Sequence, residues 1–442
     1  MDKKQGTYRR LIEIGKDIVI VLLTCSAIYL GADTLVVGGL GGLLQKVEDT
    51  GGQIVTQREP SSVAWPVRMA ISSRSGESTL RYGVQYDRDA CEDQFQPVAS
   101  LLREALSSPG AAQSVTVRDW HYALSKTSNL YFDLLGDVPL SVLVGWLSGT
   151  EYPLEGTVRR LALSTDGQRV NLYYQDSKTG HYYVRQSEVI RPEQITAITE
   201  GVMGNGAVFA FERKEYGDLG GDTLVLAEQP KPWIYRVSNP LAGNRNDETV
   251  IPNSNLARLL QALSFPENSY IYPGTDQVVR SGNDTLRISA DGVVRYHVAQ
   301  GETSRYLVQA QSNHPTAFEA AEACRRLAAG AADDLAGEAR LYLKDISSTP
   351  EGWQVDFFYS LDGASVLVGE DGYAARFIVT GNQITQFTLQ VRSYTNAGMR
   401  SIVLPEQLAM AAMTAMDKEG NTLMLAYRDH GSEQISAVWT AE

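Results

Sequence analysis

Cysteine is scarce in this chain, with three in 442 residues, and that excludes a fold stapled by a disulfide framework. Cys25 lies in an apolar run, Cys91 in the polar stretch DRDACEDQ, and Cys324 on the apolar face of an expected helix. A buried free thiol at Cys324 is the expectation, with a Cys91–Cys324 bridge as the alternative. Histidine is also sparse. His121, His181, His297, His314 and His430 show no pair at helical spacing, and the sequence holds no H-E-x-x-H, no Gly-Lys-Ser/Thr phosphate loop and no G-x-S-x-G elbow. No motif-borne metal, cofactor or nucleophile site is therefore expected, which leaves a site assembled from distant residues as the enzymatic alternative. Positive charge is in deficit, 39 basic against 52 acidic residues for a net −13. Such an exterior argues against nucleic acid, and against wall or lipid polyanions held by charge alone.

What the chain does have is an apolar run from Ile18 to Leu44, uncharged from Ile18 to Ala32, with Asp33 its only charge. A bilayer core takes about 20 such residues as a helix. Lys3, Lys4, Arg9, Arg10 and Lys16 precede the run, the placement that keeps an N-terminus cytoplasmic and the following chain outside. The expectation is an uncleaved membrane anchor. A cleaved signal at Leu30-Gly31-Ala32 and a lipidated Cys25 after Leu22-Leu23-Thr24 are the alternatives, and all of them put the bulk of the chain outside the cell. Asp33 reads as a boundary charge near the outer interface or as a polar contact to a neighbouring membrane helix. Gly38 and Gly42 match the small-xxx-small spacing of close helix pairs, or form a flexible exit from the membrane. These three residues are the candidate membrane-partner contacts.

Hydrophobic content of 43% supports two or three cores beyond the anchor. The expected organisation is a cytoplasmic N-terminus over 1–17, an anchor over 18–44, a stalk over 45–62, and three α+β regions over 63–250, 251–312 and 313–442. VRMAIS and TLRYGVQY alternate as strands do, and QPVASLLREAL puts Val98, Leu101, Leu102 and Ala105 on one helical face. Asp166-Gly167, Asp291-Gly292, Asp362-Gly363 and Gly381-Asn382 read as hairpin turns. Leu256, Leu259, Leu260 and Leu263 make a helical stripe. Thr316 with Glu319 reads as a capping box opening the helix AFEAAEACRRLAA, which Gly330 closes. Helices alternating with antiparallel strands make α+β the fold class, each sheet covered on one face by helices.

Few residues invite a chemical reading. Asp133 and Asp137 flank a turn before Pro139 and are expected to cap backbone or face water rather than to act as a paired acid and base. Arg159 and Arg160 read as an exposed pair. Asp429, His430, Ser432 and Glu433 resemble a triad in composition, yet sequence neighbours seldom converge on one reacting atom, so a polar hairpin is expected. Met410, Met413 and Met416 read as core filling, with an adaptable partner groove as the alternative. Tyr173-Tyr174 and Tyr182-Tyr183 read as cross-strand neighbours, with carbohydrate stacking as the alternative.

The stretch NLYFDLLGDVPLSVLVGWL followed by VRRLALSTDGQRVNLYYQD resembles the pattern of YycH proteins: a strand with an acidic turn, a Pro-Leu step into a helix, then paired strands. The region with WQVDFFYSLDG and YAARFIVTGNQITQFTLQVRSY is similar to the C-terminal part of YycI proteins. The resemblance implies an accessory protein of a sensor histidine kinase, of the WalK/WalR type that governs cell-wall metabolism in Gram-positive bacteria. It also implies no catalytic residues, and a possible second YycH/YycI-type partner. Asp33 and the glycine-rich tail have no counterpart in the pattern. The rival expectations are a wall- or peptide-binding surface module, suggested by sheet edges able to accept an extended ligand, and an extracellular enzyme with a dispersed site.

Overall fold

Two-residue periodicity governs the chain from Arg68 onward and builds two large sheets. The computed structural model describes residues 64–242, 245–246, 249–250, 254–265, 270–272, 276–416 and 422–441. The run 18–44 and its Asp33, Gly38 and Gly42, together with the stalk over 45–62, lie outside the described residues. Among those described, no helix is long and apolar enough to cross a membrane.

The first lobe is a seven-stranded sheet. Its strands are β1 (Arg68–Ser75), β2 (Ser78–Gln85), β3 (Gln113–Val115), β4 (Ser128–Pro139), β5 (Thr157–Thr165), β6 (Val170–Asp176) and β7 (Tyr182–Gln186). They lie in the order β2-β1-β4-β5-β6-β7-β3, and every neighbouring pair is antiparallel. The helices in chain order are α1 (Arg88–Phe95), α2 (Ala99–Ser107), α3 (Val117–Ser125), α4 (Leu140–Ser148), α5 (Pro192–Thr199), α6 (Ser254–Ala262), α7 (Ala317–Ala332) and α8 (Glu406–Ala415). Side chains alternate across a strand, so Met69, Ile71, Leu130, Phe132, Leu161 and Leu163 join a layer with α1, α2 and α4. Their neighbours Ala70, Tyr131 and Ala162 meet Trp120 and Leu124 of α3, with Phe209 and Leu224, on the opposite face. This sheet is thus covered on both faces rather than one.

Local signals explain the helix ends. Asp87 caps α1 by accepting from Ala90 N at 3.0 Å, at the start of the polar stretch DRDACEDQ. Thr116 and Asp119 form a capping box that starts α3. Thr316 and Glu319 open α7 as expected, Glu319 N donating to Thr316 Oγ1 at 3.2 Å and Thr316 N to Glu319 Oε2 at 2.9 Å. Gly330, expected to close that helix, lies inside it, and the helix runs on to Ala332. α4 carries apolar residues nearly all round, because α2 and α7 both pack on it.

The second lobe is an eleven-stranded sheet. Its order is 270–272, 277–281, 284–288, 293–298, 383–390, 375–380, 352–361, 364–368, 423–429 and 437–441, with 340–349 also paired to 352–361. Strands of the expected middle and C-terminal regions therefore share one sheet, joined where Val293–Val298 pairs with Gln383–Gln390. The Asp-Gly and Gly-Asn dipeptides sit at hairpin turns as expected. At Asp362-Gly363 both residues take positive φ, +50° and +79°, the conformation that a two-residue hairpin needs. Cys91 and Cys324 are both buried free thiols and form no bridge.

The lobes meet along β4. Its pairing with β5 breaks register between Asp133 and Val138, and the bulged residues lie against the strand Arg340–Thr349. There the backbones touch: a Cβ on Gly136 would stand 1.9 Å from Leu343 O. Beside it α4 packs on α7, where a Cβ on Gly145 would fall 2.4 Å from the Phe318 ring. Trp146 Nε1 donates to Glu322 Oε2 at 2.9 Å, and Glu322 also receives Arg325 and Arg326 at 2.8 and 2.7 Å.

Gly136→Ala should destabilise the protein by more than the ~1–3 kcal/mol usual for an overpacked core, because the added methyl meets a carbonyl held in a sheet and not a side chain able to rotate. Urea denaturation monitored by tryptophan fluorescence measures this. A midpoint equal to wild type would show that the joint is looser than described.

Candidate interaction surface

The charge-bearing centre of the molecule is buried at the lobe seam. Asp133 is 2% exposed and is ringed by guanidinium groups: Arg68 Nη1 at 2.9 Å, Arg159 Nε at 3.3 Å and Arg160 Nε at 3.6 Å. Leu135 N also donates to Asp133 Oδ1 at 3.0 Å, which ties the carboxylate to the bulge that follows it. Burial alone would raise the carboxyl pKa, but Arg159, Arg68 and Arg160 outweigh it and hold it well below the usual carboxylate range. Arg160 also faces Asp222 at 3.7 Å, and Asp222 lies 3.4 Å from His121 Nε2. The expectation of an exposed Arg159–Arg160 pair is thereby corrected, while Asp133 caps backbone at Leu135 N, one of the two roles expected of it, and is buried instead of facing water. Those residues form a buried ionic centre, since β4 and β5 place Asp133 directly opposite Arg160.

Above this centre lies α8. From Ser401 to Met416 the only charged residue is Glu406, and it is 8% exposed. Its carboxyl pKa is pushed up by burial, with only its own backbone hydrogen bond opposing, and among the described residues Oε1 has no hydrogen-bond partner. A cavity of about 20 Å³ beneath it is lined by Arg68, Asp133, Arg160, Glu406 and Trp439, among others. α8 buries Ala409 and Met410. Its outer side presents Leu408 and Met416, continuous in sequence with exposed Met399, Ile402 and Leu404, and Ile402 is 98% exposed. This stretch is held in place. Trp439 Nε1 donates to Leu404 O at 2.7 Å, Ser401 N to Pro232 O at 2.7 Å, and Gln229 Nε2 bonds to Val403 O.

The surface also lies near the point where the described chain begins. The Arg68 guanidinium sits over the Tyr86 ring at 5.1 Å, the Tyr86 ring meets Trp439 edge-on at 6.3 Å, and Trp439 holds Leu404. The fixed strip Ile402–Met416, whose one charged side chain, Glu406, is buried, therefore stands a few contacts from Arg68, near the first described residues.

The other sequence candidates separate. Asp429 is buried and accepts from Tyr394 OH at 2.8 Å and Gly431 N at 2.9 Å, while His430, Ser432 and Glu433 are exposed, so this stretch is the polar hairpin expected. Asp137 is half-buried on the bulge and does not pair with Asp133. Met410 fills the core, Met413 packs against it, and Met416 is exposed, so core filling describes only the first two. Tyr174 and Tyr183 are cross-strand partners with stacked rings 5.6 Å apart. Burial pushes the Cys91 thiol up to about 12, and Cys324 is raised as well, so neither is a ready nucleophile. Among the described residues no group of His, Cys, Asp or Glu is arranged to hold a metal. The sequence signal that marks the α8 surface is the scarcity of charge over 401–416, where Glu406 stands alone, and the methionine spacing draws attention away from it.

No family model matches the chain, and no curated protein matches it. Among solved structures it is similar to the crystal structure of YycH from Bacillus subtilis, with a TM-score of 0.49 and 11% identity over 87% of this chain and 95% of that one.

Two substitutions at the seam should move stability in opposite directions. Asp133→Asn strands buried guanidinium groups and should cost about 3–5 kcal/mol at pH 7. Because the folded carboxyl pKa is depressed, this contribution is present above the unfolded value of about 4 and drains away at lower pH, so wild type and variant should converge in acid. Glu406→Gln should instead raise the urea midpoint at pH 7. Its folded pKa is raised, so the charged form is a burden above that pKa and the gain should vanish as pH falls through it. Midpoints at pH 7 and pH 4 read the Glu406 effect, and midpoints at pH 7 and pH 2 read the Asp133 effect.

Proposed function

We propose that this protein is a membrane-anchored, extracytoplasmic regulator of a two-component sensor histidine kinase controlling cell-wall metabolism, acting by contact and without catalysis. The observation that carries this reading is the fixed strip Ile402–Met416, whose only charged residue, Glu406, is buried, near the first of the described residues. A chain anchored through Ile18–Leu44 would keep the described residues tethered to the membrane that also carries the receptor. The basic N-terminal flank and the sequence resemblance to YycH and YycI proteins support the same reading. Burying one fully exposed side chain such as Ile402 contributes about 1.5–3 kcal/mol. That is comparable to the ~1–3 kcal/mol of differential binding that biases a two-state receptor several-fold. In this mechanism the strip docks on one kinase state more tightly than on the other and shifts the balance between them.

The test is photo-crosslinking in native membranes from position 402 or 408 of the full chain. The expected product is an adduct with a sensor kinase. The double variant Ile402→Asp, Leu408→Asp should reduce kinase co-purification at least tenfold while leaving the thermal midpoint within a few degrees, because both side chains are exposed. If the unaltered chain captures no kinase, the regulatory reading fails.

A further inference from the structure

A second surface, away from α8, has a different character. The segment Ser304–Gln309 runs antiparallel to the start of the strand Gln383–Gln390: Ile384 N donates to Tyr306 O at 2.9 Å, Val308 N donates to Asn382 O at 2.8 Å, and Leu307 stands opposite Gln383. In an antiparallel pair, successive residues turn their peptide groups to opposite sides. Tyr306 and Val308 face the sheet, so the N–H and C=O groups of Arg305, Leu307 and Gln309 face away from it. Among the described residues these groups have no backbone partner. Leu307 is itself 59% exposed.

What this edge faces is a groove of about 380 Å³ whose far wall is α7, with Phe318, Ala323 and Leu327 lining it. A bare strand edge across a groove from a helix is the geometry in which an extended peptide adds as a further strand and drops alternate side chains into the groove. Charges at the rim are already engaged: Arg305 Nε pairs with Asp284 at 2.8 Å and Arg326 Nε with Glu322 at 2.7 Å. The groove therefore offers main-chain bonds and apolar area rather than an unspent charge. We propose that it takes an extended, uncharged segment of a partner polypeptide by strand addition along Arg305–Gln309, with one apolar side chain seated against Phe318, Ala323 and Leu327.

The experiment uses the full chain in nanodiscs and an array of acetylated, amidated octapeptides that alternate Thr with Val, Ile, Leu or Phe. Fluorescence anisotropy on the best members should show saturable binding, and N-methylation of alternate peptide nitrogens should abolish it. Leu307→Pro deletes an N–H that points away from the sheet and spares the bonds of Tyr306 and Val308. It should weaken binding at least tenfold, as should Ala323→Phe, which fills the groove. Ile402→Asp with Leu408→Asp should leave peptide affinity unchanged, which separates this site from kinase docking. Hydrogen exchange on the unaltered chain gives a readout independent of the variants: the amides of Leu307 and Gln309 should exchange more slowly with peptide bound. Absence of saturable binding across the array, equal affinity for the N-methylated peptides, or unchanged exchange at both amides would each overturn the proposal.

Discussion

The architecture depends on one buried carboxylate. Asp133 neutralises guanidinium groups brought in by β1 and β5, and the same side chain holds Leu135 N. An isolated charge at such depth is strongly disfavoured, so the carboxylate and its arginines must be assembled together or not at all. Because the bond to Leu135 shapes the chain just after Asp133, the ionic centre also sets the path of the bulge, and the bulge is what reaches the second lobe. Electrostatics inside one sheet thus determines how two sheets are joined.

Much of the fold is legible from short-range signals. Hairpin dipeptides at 166–167, 291–292, 362–363 and 381–382 and the Thr316–Glu319 box act through neighbouring residues, and each does locally what its chemistry dictates. The misreadings arise where packing or a distant residue decides what the local sequence does. Arg159 and Arg160 look exposed because their carboxylate lies 26 residues away from Arg159. Gly330 fails to end α7 because the helix is held by packing through Ala331 and Ala332, both buried, and a glycine inside a packed helix costs only about 1 kcal/mol relative to alanine. α1 and α3 escape notice because their caps, Asp87 and Thr116, sit in sequence that alternates or is simply polar. The α8 surface is legible only as a scarcity of charge, and such a gap means something only when the buried side of the helix is known.

The two proposed contact surfaces use different physics. The strip over 402–416 offers chiefly apolar side-chain area, so its partner is selected by shape and by tolerance of an apolar face. The edge at 305–309 offers main-chain groups first, so its partner is selected by being extended. α7 joins the edge groove to the joint between the lobes, because Phe318 lines the groove on one side and packs on Gly145 of α4 on the other.

Where Gly136 meets the carbonyl of Leu343, two main chains touch with no side chain between them. Packed elements slide past one another through small rotamer adjustments, and a bare main-chain joint has none to make. The two halves therefore answer a push at either end in the manner of a lever without a hinge, tilting together instead of flexing.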